Sequence, residues 1–244
     1  MDGKLTLKNK YRIELDGLRG IAVIAVILNH INTNFIPSGY LGVDIFFVIS
    51  GYVITSSLDQ KESTSFREFI SSFYARRIKR LLPALVFFVL INSFIICLIR
   101  PNAEGALLTG VSSLFGLSNI SLFWKAKDYF AISNVLNPFT HTWSLGVEEQ
   151  FYLIFPFIIW FSGFKNKVKD NIKSLFKLNV IFTTFSLILF IYFYPINQPA
   201  AYFLMPSRFW EISIGCLTYL TLKNKNAIFR FFNIFPSSLA LFLI

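Results

Sequence analysis

Eight ionisable side chains of this 244-residue chain stand within or beside apolar runs: Arg19, His30, Asp44, His141, Glu148, Glu149, Arg208 and Glu211. A charge at the centre of a bilayer helix costs about 2.5–3.5 kcal/mol on insertion scales, so such residues mark buried pairing or a functional site. Arg19 and His30 are the informative pair. The helix between them makes three turns and about 20° more, so both project from one face, about 16 Å apart along the axis. That stripe suits a long ligand with an anionic head and a reactive tip. Arginine grips phosphate through paired donors, and histidine is the commonest general base near neutral pH. The competing reading is a helix-end anchor with an unrelated interhelical histidine.

Two other clusters carry chemistry. The run from Tyr74 to Pro83 sets Arg77 and Arg80 one helical turn apart, just before an apolar stretch. Alone they anchor a helix at the membrane surface; beside Arg19 they would grip phosphates as well. His141, Ser144 and Glu148 fall near one side of a helix, with Glu149 adjacent. They would orient a sugar or relay a proton, or form a polar seam against another helix. Arg208 and Glu211, at i,i+3, predict a structural ion pair. No nucleophile elbow, P-loop, zinc signature or dinucleotide-binding glycine pattern occurs. Gly39 to Gly42 and Ser50 to Tyr52 bring small residues suited to close helix packing.

The elements that must hold these residues are membrane helices. The apolar set makes up 55% of the chain, charged residues 15%, and the mean hydropathy is +0.59. A soluble domain runs about 45–50% apolar and about 25% charged, and needs a polar skin that this composition does not supply. An ordinary cytosolic enzyme and a disordered protein are both excluded. Apolar stretches near the roughly 20 residues a membrane helix needs occur at 16–35, 41–58, 81–99, 105–123, 142–162, 178–194 and 203–222. A shorter run at 231–244 is read as an unfinished span, and the chain as the N-terminal part of a longer protein. The run from Ile21 to Leu28 has no cleavage pattern of small residues behind its basic head, so it is retained. Cys97 and Cys216 sit in apolar runs and are read as core or lipid-facing residues. Most of the 30 phenylalanines are expected to face lipid.

Charge placement gives an orientation. Of the 23 basic residues, 18 lie in segments 1–12, 59–80, 163–177 and 223–230, read as a head and three loops. If all four face the cytoplasm, the positive-inside rule holds and the N-terminus is cytoplasmic. The net charge of +10 is then a membrane signal, and no nucleic acid partner is implied. This topology requires that 105–123 does not cross. Its many small and hydroxyl residues, among them Gly105, Thr109, Gly110, Ser112 and Gly116, make it a re-entrant or interfacial helix on the outer side. The predicted fold is therefore all-α: a polytopic transmembrane helical bundle of about seven full or partial spans plus that helix.

These motifs resemble the acyltransferase-3 family of integral membrane O-acyltransferases. Ile13 to Ala22 leading to His30 is similar to the family's Arg-x10-His motif, and Gly39 to Tyr52 to its second-helix signature. Arg77 to Arg80 resembles its cytoplasmic Arg-x-x-Arg, and His141 to Tyr152 its His-Thr-Trp-Ser-Leu block, with Gly146 where many members have serine. Arg208 to Glu211 with Gly215 is a weaker match, and the subgroup most resembled is bacterial acetylases of O-antigen and related surface polysaccharides. The resemblance implies that residues 1–244 are an incomplete part of a domain of about ten spans, in the bacterial cytoplasmic (inner) membrane and in contact with its lipid. A C-terminal hydrolase-like domain often follows in that subgroup.

The resemblance further implies a catalytic His30 and an acyl-CoA donor, acetyl-CoA or another short acyl-CoA, bound by Arg19, Arg77 and Arg80. No metal is implied. Glu148 and Glu149 would support His30 or the acceptor. His141, Ser144 and Asp44 would meet the acceptor, an extracytoplasmic carbohydrate such as lipopolysaccharide O-antigen, capsule or peptidoglycan. Direct transfer and an acyl-histidine intermediate both fit. The alternative function is a multi-span transporter of a small polar or anionic solute, its charges lining the path; a non-catalytic scaffold leaves the Arg19–His30 stripe unused.

Overall fold

The computed structural model describes residues 13–60, 65–126, 137–163 and 169–223. Among these the regular structure is helical, with no strand. The helices are α1 (Ile13–Ile31), α2 (Gly42–Gln60), α3 (Phe66–Ile99), α4 (Glu104–Leu114), α5 (Ser118–Lys125), α6 (Trp143–Phe161), α7 (Lys169–Ile196), α8 (Gln198–Phe203) and α9 (Met205–Lys223). Short 3-10 turns at Gly39–Leu41 and Thr140–Thr142 lead into α2 and α6. Among the described residues three stretches are long and apolar enough to cross a membrane: Gly39–Gln60, Phe66–Ile99 and Ile172–Ile196. α1, α6 and α9 have 19 residues each, about 28 Å of helix, but carry the ionisable residues described above.

Several predicted boundaries move. Residues 66–80, read as loop, are the first turns of α3. The helix starts where Ser65 accepts the Glu68 amide at 3.3 Å, with the acidic residue at the third position of a capping box. The helix continues through Pro83 and ends at Arg100, which takes an extended backbone (φ −121°, ψ 123°) ahead of Pro101, as a residue before proline must. The 163–177 segment is likewise helical from Lys169. The 203–222 stretch is broken at Leu204, because Pro206 sits in the first turn of α9 and leaves no amide to continue α8. The 231–244 stretch and the basic head lie outside the described residues.

The 105–123 stretch does not form one helix. α4 ends in a Schellman motif: Gly116 has φ +67°, and Leu117 and Gly116 donate to the carbonyls of Ser112 and Ser113. The resulting pieces of 11 and 8 residues are about 16 and 12 Å long, too short for a hydrocarbon layer of about 30 Å.

α9 lies at the centre, against α2 on one side and α7 on the other. A Cβ at Gly51 would overlap the Ile212 carbonyl, and one at Gly215 the Val48 carbonyl. The α2 and α9 backbones touch, which only glycine allows, and buried Cys216 donates to the Gly51 carbonyl at 3.5 Å. Gly39 and Gly42 similarly seat the start of α2 against Ala25 and Ala22 of α1. Phe47, Phe151, Phe155 and Ile212 are fully buried. The phenylalanines are therefore divided between core and surface, because α6 is enclosed by α2, α5 and α9. Phe87, Phe94 and Phe185 face outward.

Helix contacts fix the two ends of the bundle. Asp59 meets Lys223 at 2.6 Å and Phe66 meets Trp160 at one end, where Arg67 and Lys173 also lie. His30, Asp44, Trp143 and Arg208 belong to the other.

Candidate functional site

α1, α3 and α6 carry most of the sequence-predicted site. His30 occupies the last turn of α1. Its neighbour Asn29 donates to the carbonyls of Ile36 at 2.9 Å and Pro37 at 3.2 Å, fixing the path of the chain beyond the helix. His30 Nδ1 lies 2.8 Å from the Val26 carbonyl. A carbonyl only accepts, so Nδ1 carries the proton and Nε2 of the neutral ring keeps its lone pair. The exposed imidazole is thus oriented with its basic nitrogen outward. Arg19, three turns away on the same helix, pairs with Asp16 at 3.6 Å.

Glu148 of α6 is the hub of a network joining three helices. Ser50 of α2 donates to its Oε1 at 3.0 Å, and Tyr152, one turn along α6, donates to its Oε2 at 2.7 Å. The guanidinium of Arg77 lies 4.9 Å from the centre of the Tyr152 ring and 5.7 Å from that of Phe73, cation–π distances. Tyr74 donates to the Leu153 carbonyl at 2.8 Å and so pins α3 to α6.

Arg80 and His141 line one cavity of about 360 Å³, with Ser144 in the same wall. The α3 wall runs from Arg80 to Phe88, about 12 Å of helix, and Phe88 meets the His141 ring edge-on at 5.1 Å. His141 precedes α6, on the 3-10 turn, so helical arithmetic does not carry to it. Burial pushes its imidazole below the usual value, and the charge of nearby His30 adds to the shift. The cavity between α3 and the start of α6 thus has Arg80 towards one end and His141 at the other.

The remaining predicted residues lie elsewhere. Glu149 packs against the α4–α5 turn, its Oε2 where a Cβ of Gly116 would stand. Asp44 does not share the His141–Ser144 cavity: its Oδ1 accepts from Arg208 at 2.5 Å, and Arg208 also pairs with Glu211 at 2.8 Å. Gly146 has a packing reason, since a Cβ there would press on Asn119 Oδ1 at 2.8 Å. Among the described residues no group of three His, Cys, Asp or Glu side chains could hold a metal ion. Sequence reading missed Tyr152 and Ser50 as partners of Glu148. Tyr152 was within reach, being four residues on along a helix; Ser50, 98 residues away, carried no signal.

An acyltransferase domain model matches residues 12–244. The chain belongs to the acyltransferase-3 family. Among relatives of this acyltransferase-3 chain, O-acetyltransferase OatA of Staphylococcus aureus is 34% identical over 209 residues, covering 85% of this chain and 34% of OatA. YrhL of Bacillus subtilis, named provisionally as a peptidoglycan O-acetyltransferase, is 33% identical over 229 residues, 90% of this chain and 35% of YrhL. The acyltransferase-3 chain therefore spans about a third of the length of these relatives. No solved structure matches it.

Proposed function

We propose that the protein is a membrane O-acetyltransferase that moves an acetyl group from cytoplasmic acetyl-CoA to a hydroxyl of an extracytoplasmic carbohydrate. The observation that carries this reading is the cavity that Arg80 and His141 line together, with Arg77 one turn from Arg80 on α3 and Glu148 one turn from Ser144 on α6. Arginines suit the phosphates of the donor, and the cavity runs from Arg80 to His141, at the end of the bundle where His30 lies. The basic end of the bundle faces the cytoplasm on the positive-inside rule, in a bacterial inner membrane with the N-terminus inside.

In the reaction, His30 Nε2 takes the proton from the acceptor hydroxyl. The oxygen attacks the thioester carbonyl, a C–O bond forms, the C–S bond breaks, and the proton passes to the departing coenzyme A thiolate. Arg19, Arg77 and Arg80 hold the donor. Glu148 steadies Tyr152 and, through it, Arg77; Glu149 belongs to the acceptor side, with His141 and Ser144. Peptidoglycan is the acceptor that the name of YrhL supports.

The test is acetylation of cell-wall glycan by the full-length protein carrying His30→Ala. Loss of acetylation with normal membrane insertion is expected; wild-type acetylation would reject His30 as the base. Failure of solubilised protein to bind coenzyme A would favour a transporter.

A further inference from the structure

A second cavity, of about 390 Å³, opens at the His30 end of the bundle, among the starts of α2, α6 and α9 and the α7–α8 corner. It has the size of a small-molecule site, about 300–1,000 Å³, and none of the arginines assigned to the donor lines it. Its walls include Tyr40, Trp143, Tyr202, Gln198, Asp44 and Arg208.

The chemistry of this lining is selective. Arg208 is only 8% exposed and is clamped by two carboxylates, Asp44 at 2.5 Å and Glu211 at 2.8 Å. Its guanidinium lies 5.6 Å from the Trp143 ring and 5.7 Å from that of Tyr202. Arg208 is already paired with Asp44 and Glu211, so the lining offers the phosphates of the donor no free cation. A purely apolar ligand would leave the polar groups of the lining without partners. Asp44 uses Oδ1 for Arg208, and its side chain is 30% exposed, which leaves Oδ2 to accept from a hydroxyl. The Gln198 amide both donates and accepts. Flat rings beside fixed hydroxyl partners match an uncharged pyranose, whose C–H face is apolar and whose rim is polar.

The cavity also borders the reaction site. Tyr40 belongs to the turn that packs on α1 at Ala25 and Asn29, next to His30, and Trp143 follows His141 by two residues.

We infer that this cavity seats one uncharged pyranose unit of the acceptor, on rings of Trp143, Tyr202 and Tyr40 and against Asp44 and Gln198, with Arg208 as the positioning residue. This rests on the reading of the acceptor as a carbohydrate.

The probe is a neutral β-1,4-linked N-acetylglucosamine tetramer, added to the full-length protein in nanodiscs. Calorimetric binding without acyl-CoA and acetyl transfer from acetyl-CoA are measured separately. Tyr40→Ala with Gln198→Ala changes side chains at the mouth, not the core. The double variant should weaken tetramer binding and raise the tetramer KM at least tenfold, with the acetyl-CoA KM within twofold of the parent. Trp143→Phe should weaken binding less than Trp143→Ala. If the tetramer does not bind, or binds the parent and double variant equally, the cavity is not its site, whatever the transfer assay gives. Binding that depends on Tyr40 and Gln198 without any acetyl transfer would instead reject the acyltransferase reading and leave the saccharide site standing.

Discussion

Tyr152 stands between Arg77 and Glu148: it donates its hydroxyl to Glu148 at 2.7 Å while the guanidinium of Arg77 lies 4.9 Å from its ring centre. A typical hydrogen bond contributes about 0.5–1.5 kcal/mol, and a partly desolvated cation–π contact about 1 kcal/mol or more. Tyr152 thereby fixes the position of Arg77 without itself needing to touch the donor.

Tyr152→Phe keeps the ring and removes the hydroxyl. It should raise the KM for acetyl-CoA severalfold with little change in kcat. Tyr152→Leu, which also removes the ring, should raise it further. Steady-state kinetics at varied acetyl-CoA distinguishes the two, and equal effects would show that the hydroxyl alone matters.

Arg80 lines the cleft whereas Arg76 is exposed outside it. Arg80→Ala should weaken coenzyme A binding by roughly tenfold, about 1.4 kcal/mol, and Arg76→Ala should not. Calorimetry with coenzyme A on solubilised protein reads both.

His30→Gln retains a donor towards the Val26 carbonyl but no titratable base. Acetyl transfer should fall by about 10²–10⁴-fold, the usual contribution of general base catalysis, while coenzyme A binding stays as in the parent. A fall in binding matching the fall in rate would assign His30 to donor recognition instead.

Gly51 and Gly20 make a matched pair. A Cβ at Gly51 meets backbone of α9, whereas one at Gly20 meets nothing within 4 Å. Gly51→Ala should cost about 1–3 kcal/mol through overpacking, and Gly20→Ala should gain about 0.5–1 kcal/mol of helix propensity. Thermal unfolding in one detergent should move the midpoint in opposite directions.

Arg208→Met leaves Asp44 and Glu211 facing each other without their shared cation. Removing one partner of a buried ion pair costs about 3–5 kcal/mol. The variant should unfold at clearly lower temperature, and adding Asp44→Asn and Glu211→Gln should restore much of the loss.

Helix character, the membrane setting and the Arg19–His30 stripe were legible in the sequence, because hydropathy and helical periodicity are local properties. The Arg208–Glu211 pair was legible for the same reason. The 105–123 stretch was read as one re-entrant or interfacial helix from charge placement and its glycine and hydroxyl content; its division into two short helices at Gly116 was not. The boundaries at Phe66 and Lys169 were misread because basic residues make good helix and good loop alike; only a cap or a breaker separates the two. Tertiary structure alone decided that Ser50 meets Glu148, that Asp44 leaves His141 and Ser144 to join Arg208, and that Gly51 and Gly215 mark one helix crossing. Those contacts join residues 98 to 164 positions apart. Sequence periodicity says which face of a helix a residue occupies, but close packing of whole helices determines what that face meets.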